Sequence, residues 1–353
     1  MALEDTKAIL LSCPGDLLTA IWVSATFDAL KKKFAGTRLY LLVKKANASI
    51  FSEHPALDGL LTLTSETKIE DIAQYFKRLQ IDTLVHVVYD ERVALAGTAA
   101  AIENTFAFAE KKSSEIKAKT LVERSRDFDD EHPVFHSFEL LAPLGISVPA
   151  PAELKLNLSV SNTEHHDLFE KLKRYDMNFD SHYAVVCLDA GRNGHFVDVQ
   201  IFAKVAKYLH GLRKDLPIIL VSFEGKNATT SKRMIDFVSR ASGINLVNFF
   251  LLEDKNDELS PAQVAELLKH ADICIATDNA VAYLANFEQC PLVTLVVDPP
   301  ERRYFPRAIK SEVVYTSAQK IPWFELPGFF HWRASHSFSI AKIRDAVDYV
   351  LSF

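Results

Sequence analysis

Glycine is scarce in this chain: 11 of 353 residues, about half the usual share of roughly 7%. Few positions are therefore free to take a left-handed turn or to bring backbone close to a phosphate. An excess of positive charge is also lacking. Lys and Arg number 40 against 46 Asp and Glu, a formal net charge of -6, which argues against a nucleic-acid binder with a basic face. The longest apolar runs, such as Ala8 to Leu11 and Leu292 to Val297, fall far short of the ~20 residues that a membrane helix needs. Met1 to Lys7 carries two acidic residues and has neither the basic start nor the long apolar centre of a signal peptide, so a cytoplasmic location is expected. The four cysteines, Cys13, Cys187, Cys274 and Cys290, lie far apart and form no CxxC pair, which favours buried free thiols over zinc or disulfides.

What is present is a large apolar fraction, 48%, in a chain too long for one ordinary core. Two α/β domains of roughly 150 residues each are the default. The stretch from Ala271 to Val297 shows the pattern most compactly. Ile273 to Ala276 is a short apolar run, and Thr277 and Asp278 supply cap-type side chains. Val281, Leu284 and Ala285 then recur at helical spacing, Pro291 stops the helix, and Leu292 to Val297 is consecutively apolar, as in a strand buried on both faces. The turn at Thr277 to Ala280 thus joins a strand's carboxyl end to a helix's amino end, where open α/β sheets bind ligands and helix N-H groups meet phosphate. A purely structural cap is the competing interpretation.

The same alternation organises the rest. Lys7 to Cys13 reads as a strand, and the turn after it carries Asp16 at the mouth of a helix bearing Leu17, Ile21, Trp22 and Leu30. Arg38 to Val43 is the second strand, His54-Pro55 a break, Ile69 to Leu79 an amphipathic helix and Thr83 to Val88 a buried strand. Ala94 to Ala109 reads as helix, and His132 to Leu144 as another. Pro143 to Pro151 and the polar run through Asn162 mark a linker. A second series then starts with a strand at Tyr183 to Leu188, a helix at Val197 to Leu212, a strand at Leu216 to Ser222 and a helix at Thr230 to Arg240. Ser260-Pro261 opens a helix through Lys269, Glu312 to Thr316 is a last strand, and Ser339 to Leu351 a terminal amphipathic helix. The expected domains are 1-160 on the acceptor side, 161-335 on the nucleotide-sugar side, and a terminal segment 336-353 crossing back to the first domain.

Between Glu110 and Glu131 the chain is rich in charge, with Lys111, Lys112, Lys117, Lys119, Arg124 and Arg126. This is a solvated face or a basic loop that meets an anionic substrate. Asp127-Phe128-Asp129 has the look of a metal-holding acidic pair but lies in that charged loop and not at a strand end. His165-His166 sits at a polar helix start with no third ligand near in sequence. No metal site is assigned to either.

Three stretches in order resemble glycosyltransferase family 9, the lipopolysaccharide heptosyltransferases of GT-B fold. They are Ser12-Cys13-Pro14-Gly15-Asp16-Leu17-Leu18; His132-Pro133-Val134 with Glu139-Leu140-Leu141 and Leu144-Gly145; and Thr277-Asp278-Asn279-Ala280-Val281-Ala282-Tyr283-Leu284-Ala285-Asn286 with Pro291. The resemblance spans nearly the whole length. It implies two Rossmann-like doubly wound domains facing across a cleft, and inverting transfer of a sugar from an ADP-heptose-like nucleotide donor to a lipid-linked anionic saccharide of lipopolysaccharide-core type. It implies no cofactor, no metal and no nucleic acid, and it allows peripheral contact with the cytoplasmic face of the inner membrane. Asp16 takes the role of catalytic base, for which a carboxylate on a turn at a strand's end is chemically suited. Arg192, Asn193, His195, Asp278, Asn279 and Ala280 fall to the donor site, and Lys111, Lys112, Arg124, Arg126 and His132 to the acceptor site.

The chain also departs from the family. Ala280 stands for its glycine and Tyr283 for its histidine, Val297-Asp298-Pro299 replaces its Gly-Pro-Thr, and His195 falls where its diphosphate-neutralising lysine is expected. The loop Glu224 to Thr229 has no clear counterpart of its ribose-reading acid. A GT-B-shaped binding protein without sugar transfer is therefore the alternative. A nicotinamide-dependent dehydrogenase is excluded, because Cys13-Pro14-Gly15-Asp16 is not a dinucleotide fingerprint.

Overall fold

The computed structural model describes residues 6–109, 118–123, 134–150, 153–187, 189, 191, 197, 199–214, 216–221, 240–241, 259–297, 310–316 and 338–352. The chain divides into two compact units, with the break between Ser161 and Asn162. Among the described residues no helix is long and apolar enough to cross a membrane.

The first unit is built on a parallel sheet of β1 (Ala8–Cys13), β2 (Arg38–Lys44), β3 (Gly59–Leu63), β4 (Thr83–His86), β5 (Asn104–Phe108) and β6 (Thr120–Val122), in the order β3-β2-β1-β4-β5-β6. All six residues of β1 are buried, which explains its unbroken apolar run: helices cover both faces of a parallel sheet. The helices are α1 (Leu17–Ser24), α2 (Phe27–Lys33), α3 (Ile69–Leu79), α4 (Glu91–Ala99) and α5 (Val134–Leu141). α3 follows its sequence pattern, burying Ile72, Ala73 and Phe76 in a core with Leu10, Leu42, Leu84 and Val93.

Three expectations need correction in this unit. The first helix is broken in two, because Ser24 Oγ donates to the Ile21 carbonyl at 2.6 Å and Thr26 Oγ1 to that of Val23 at 2.7 Å. Such local side-chain bonds compete with the helical ladder. The stretch Ala94 to Ala109 is not one helix. α4 starts earlier, at the Asp90 cap, and ends at Ala99, and the alternating Asn104-Thr105-Phe106-Ala107-Phe108 pairs with β4 instead. The short edge strands β3 and β6 gave too few periodic residues to be read. Beyond α5, Ala142–Leu144 makes one 3-10 turn. The polar segment before the break is fastened to this unit through Asn157, whose backbone N-H donates to Ser24 Oγ and whose carboxamide bonds Asp28 and His54.

The second unit carries β7 (Ala184–Cys187), β8 (Ile218–Val221), β9 (Ile273–Thr277), β10 (Leu292–Val297) and β11 (Ser311–Thr316) in a parallel sheet of order β11-β10-β9-β7-β8. Its helices are α6 (Asn162–Lys173), α7 (Val199–Leu212), α8 (Pro261–Lys269), α9 (Ala280–Phe287) and α10 (Ile340–Leu351). α8 begins on a full capping box, Ser260 with Gln263, and Pro261 at its first position, as its sequence signal suggested. His165 of α6 holds the buried Glu266 of α8 at 2.7 Å, so that histidine is a structural tie. The expected helix at Thr230 to Arg240 lies outside the described residues save Arg240. α10 does not leave its own sheet. Its Ile343, Ala346, Val347 and Val350 are buried in one core with Leu209, Leu295 and Val314, and Tyr208 of α7 donates to Asp348 at 2.5 Å. That apolar stripe is buried on α7, β10 and β11.

The scarcity of glycine reappears at the helix ends. Among the described residues, four that are not glycine take positive φ: Gln80 (55°), Ala101 (58°), Asp176 (56°) and Gln289 (56°), closing α3, α4, α6 and α9. At each, the next residue's N-H reaches back six residues' span, Ile81 to Phe76, Ile102 to Gly97, Met177 to Leu172 and Cys290 to Ala285. That next residue is buried in every case. This is the Schellman arrangement with its apolar contact, built at positions that glycine usually fills. Gly145, at φ 74°, is a glycine used this way. Left-handed backbone costs a residue with a Cβ roughly 1–2 kcal/mol, partly offset by the lower entropy of its unfolded chain.

Replacing Gln80 or Gln289 with Gly is expected to raise stability by about 0.5–1 kcal/mol each, measured by urea denaturation; unchanged or lower midpoints would contradict the strain. Ile343→Ala is expected to cost about 2–5 kcal/mol and to speed amide exchange in α7, β10 and β11. Faster exchange in β1 and β2 instead would place α10 on the first unit.

Candidate functional site

Each sheet has one point at which the chain reverses its direction of strand addition. In the first unit this lies between β1 and β4, and in the second between β7 and β9. Loops leaving the carboxyl ends of such a pair diverge and open a crevice, where open α/β sheets bind ligands. The turns read as functional in the sequence follow β1 and β9.

After β1 the chain makes the turn Pro14-Gly15-Asp16. Asp16 is exposed, and its Oδ1 accepts the Thr19 N-H at 2.7 Å as N-cap of α1. The carboxylate thus has a fixed stem and a solvent-facing side, which suits both a cap and a proton acceptor. Gly15 sits in a tight place, since a Cβ would stand 3.0 Å from Val88 Cγ2 in the loop after β4 and would push that side chain back by a few tenths of an ångström. The buried Asn47, which follows β2, donates to the Gly15 carbonyl at 3.3 Å, and the Val88 N-H bonds the Ser12 carbonyl at 3.1 Å. Three loops therefore position one carboxylate.

After β9 the polar residues Thr277, Asp278 and Asn279 are all buried. The cap of α9 is Asn279 and not Thr277 or Asp278. Asn279 Oδ1 accepts from the N-H groups of Val281 at 3.0 Å and Ala282 at 3.4 Å. Its Nδ2 donates to Thr277 Oγ1 at 2.8 Å and to Cys187 Sγ at 3.2 Å. Thr277 Oγ1 in turn donates to the Asp189 carbonyl at 2.8 Å. This network joins the loop after β7 to the start of α9 across the switch point. It also means that two of the helix's free N-H groups are already satisfied from within the chain. Tyr283, on the first turn of α9, is 1% exposed and belongs to the core.

The titrating groups near these turns are set mainly by burial. Burial pushes the Cys13 thiol up to about 12, and likewise raises Cys274, so both are neutral, inert thiols. All four cysteines are free and buried, and no group of metal-ligating residues occurs among the described residues. Glu288, which caps the far end of α9, is pushed up to about 7 by burial, helped by the negative charge of Glu266.

Of the expected site residues the structure describes Asp16, Asp278, Asn279 and Ala280. Ala280 is the first residue of α9 and half-buried. Arg192, Asn193, His195, Lys111, Lys112, Arg124, Arg126 and His132 lie outside the described residues. Asp189, buried beside Thr277, was missed because one acid after a short apolar run has no distinctive spacing. Asn47 was missed because it lies behind Lys44, Lys45 and Ala46 in what reads as an ordinary polar loop.

Asn279→Ala is expected to cost about 1–3 kcal/mol, combining a lost cap with orphaned partners; a loss below about 0.3 kcal/mol in urea melts would remove the network from consideration. Glu288 binds its proton more tightly folded than unfolded, so its contribution is fully present below pH about 4.5 and is lost as pH rises through about 7. Glu288→Gln should therefore stabilise at pH 8 and leave stability at pH 4 unchanged, which thermal melts at the two pH values check.

No family model matches the sequence, and no curated protein matches it either. Comparison of folds does find relatives. A glycosyl transferase family 9 protein from Veillonella parvula superposes with a TM-score of 0.70 at 13% identity, over 89% of this chain and 87% of that one. The E. coli ADP-heptose lps heptosyltransferase II gives 0.70 at 11% identity over 98% of both chains, and the E. coli heptosyltransferase WaaC with ADP gives 0.56 at 14% identity over 88% of this chain and 93% of that one. Two parallel sheets with flanking helices, each with its switch-point turns, thus carry the family 9 resemblance read from the sequence into three dimensions: the chain has the GT-B fold of the heptosyltransferases.

Proposed function

We propose that this protein is a glycosyltransferase of the heptosyltransferase type, moving a sugar with inversion from an ADP-heptose-like donor to a lipid-linked, anionic saccharide of the lipopolysaccharide-core type. The observation that carries this reading is Asp16: an exposed carboxylate, held by its own helix and by the loops after β2 and β4, at the switch point of a sheet whose fold is that of sugar transferases. In the reaction it takes the proton of the acceptor hydroxyl as that oxygen attacks the anomeric carbon and the nucleoside diphosphate leaves. Arg192, Asn193 and His195 are assigned to the leaving diphosphate, with Asp278 and Ala280 beside the donor. Asn279 positions that turn through its network. The basic residues Lys111, Lys112, Arg124 and Arg126, with His132, are assigned to the acceptor's negative charges. The proposed setting is the cytoplasmic face of the inner membrane, reached without a spanning segment.

A second reading is favoured by one observation. Asn279 fills the N-H groups of Val281 and Ala282, donors that a phosphate at this helix start would use. A GT-B-fold binding protein without transfer would retain the fold and show this self-capped turn. Calorimetric titration with ADP, UDP and GDP, alongside turnover of ADP-heptose, separates the two: binding without turnover selects the second.

Asp16→Asn gives a decisive test, since Asn caps a helix as well as Asp does. Its stability should stay within about 0.5 kcal/mol of the wild type while turnover falls by about 10²–10⁴-fold, read as ADP release. Turnover above about a tenth of the wild-type rate would remove Asp16 as the base. If His195 neutralises the diphosphate, ADP binding should tighten as pH falls through the histidine range near ~6.5. His195→Lys should then flatten that dependence and strengthen binding at pH 8; equal affinities from pH 6 to 8 in both forms would make His195 a bystander.

A further inference from the structure

The edge of the first sheet carries an open groove that the catalytic reading does not use. β3 is the outermost strand there, and α3, which joins it to β4, packs Ile72, Ala73 and Phe76 into the core with Leu10, Leu42 and Leu84. The face of β3 is thus covered by the flank of that helix alone, and Leu61 and Leu79 stay only partly buried. What remains is a groove of about 330 Å³. Tyr40 and Leu42 of β2 form its floor and Leu61 one wall, while Ile72, Tyr75 and Leu79, at i, i+3 and i+7 of α3, form the other. Gly59 is the register partner of Tyr40, and a Cβ on it would stand 3.0 Å from Tyr40 Cδ1 and Cε1. Without one, the ring settles onto the strand and that rung of the groove stays low.

Charge decides what the groove can hold. The Arg78 guanidinium lies at its rim, 4.7 Å from the centre of the exposed Tyr75 ring. Among the described residues no carboxylate pairs with it. Asp58, the acid in the lining, is already engaged, since its Oδ2 accepts from Lys31 Nζ at 2.6 Å and from the Leu39 N-H at 2.8 Å. Arg38, on the same face of β2 as Tyr40, donates to Gln80 at the end of α3 at 3.3 Å. Lys31, Arg38 and Arg78 therefore stand against Asp58 at this corner, an excess of positive charge in a chain whose net charge is -6. An apolar groove with a guanidinium at its rim fits an aliphatic body that ends in one carboxylate, which the guanidinium fork takes through two parallel hydrogen bonds. The volume is at the small end for ligand sites and limits the body to a short chain.

We propose that the groove between β3 and α3 binds a short aliphatic carboxylate, its chain over Leu42 and Leu61 and its head on Arg78. The site is separate from the sugar-transfer reading. α3 runs back against the strands, so Arg78 and Asp58 lie at the amino edge of the sheet while Asp16 lies at the carboxyl edge, on the order of 15 Å away along the strands. A ligand on Arg78 is not placed for reaction at Asp16.

In the test, the full chain, labelled at leucine and isoleucine methyl groups, is titrated with octanoate and with 1-octanol, which has the body without the charge. Octanoate should shift the Leu42, Leu61, Ile72 and Leu79 methyls saturably, and 1-octanol should bind about tenfold more weakly. Arg78→Gln, at an exposed position, should weaken octanoate by about tenfold and leave 1-octanol unchanged. Leu61→Trp, which fills the groove, should abolish binding of both. Absence of a saturable shift, shifts spread evenly over the methyls of both units, equal affinity for octanoate and 1-octanol, or octanoate binding indifferent to either substitution would each overturn the proposal. So would sedimentation of the free chain as a dimer with its β3 amides protected from exchange, because a second copy would then occupy this edge.

Discussion

Parallel pairing is the constraint on which the rest of this molecule depends. When every strand runs the same way, all carboxyl ends fall on one edge of the sheet, and each return to the opposite edge requires a crossover that covers a face. The strand interiors then have no wet side and are mainly apolar, with Ser12 and Thr277 falling near the carboxyl ends of β1 and β9. Polar chemistry is pushed out of the strands to their carboxyl edge. In both units it collects at the reversal of strand order: Ser12, His86 and Asp16 in one, Cys187, Asp189, Thr277 and Asn279 in the other.

The two turns use their polar residues differently. The first is a short stem with one carboxylate facing solvent, supported from behind by Asn47 and Val88. The second is turned inward, with a carboxamide that caps α9 and at the same time bonds back to the loop after β7. One therefore presents a carboxylate to solvent, while the other ties two loops together. The fold itself is shared with solved glycosyltransferases at only 11–14% identity, so it does not depend on most of the side chains that line these turns.

Much of that arrangement was legible in the residues. Buried parallel strands announce themselves as unbroken apolar runs, and α3, α8 and β10 keep the limits that their periodicity and caps suggested. The breaks were harder. Ser24 and Thr26 interrupt α1 through side-chain bonds to backbone that look like ordinary polar residues in a sequence, and a run of alanines from Ala94 onward concealed the change from helix to β5. At the first turn, Asp16 was legible as the cap of α1, because an acid after Pro-Gly just before an apolar periodic run is a helix-start signal. The Asn279 carboxamide bonds the first N-H groups of α9, Thr277 and Cys187, a structural use that a polar residue before a helix does not reveal without the neighbouring loop.

The helix ends closed on glutamine, alanine and aspartate have a consequence for cooperativity. A glycine stop takes left-handed backbone at no steric cost, so a helix that ends on one needs less help from packing to hold its boundary. Gln80, Ala101, Asp176 and Gln289 have no such freedom. What holds each of them is the burial of the residue that follows, Ile81, Ile102, Met177 and Cys290. Loss of packing around those four side chains removes the reason for the stop, and the helix end dissolves with the core that it borders. Secondary and tertiary structure are thereby made to melt together, and a swollen intermediate that retains well-defined helices is disfavoured in this chain.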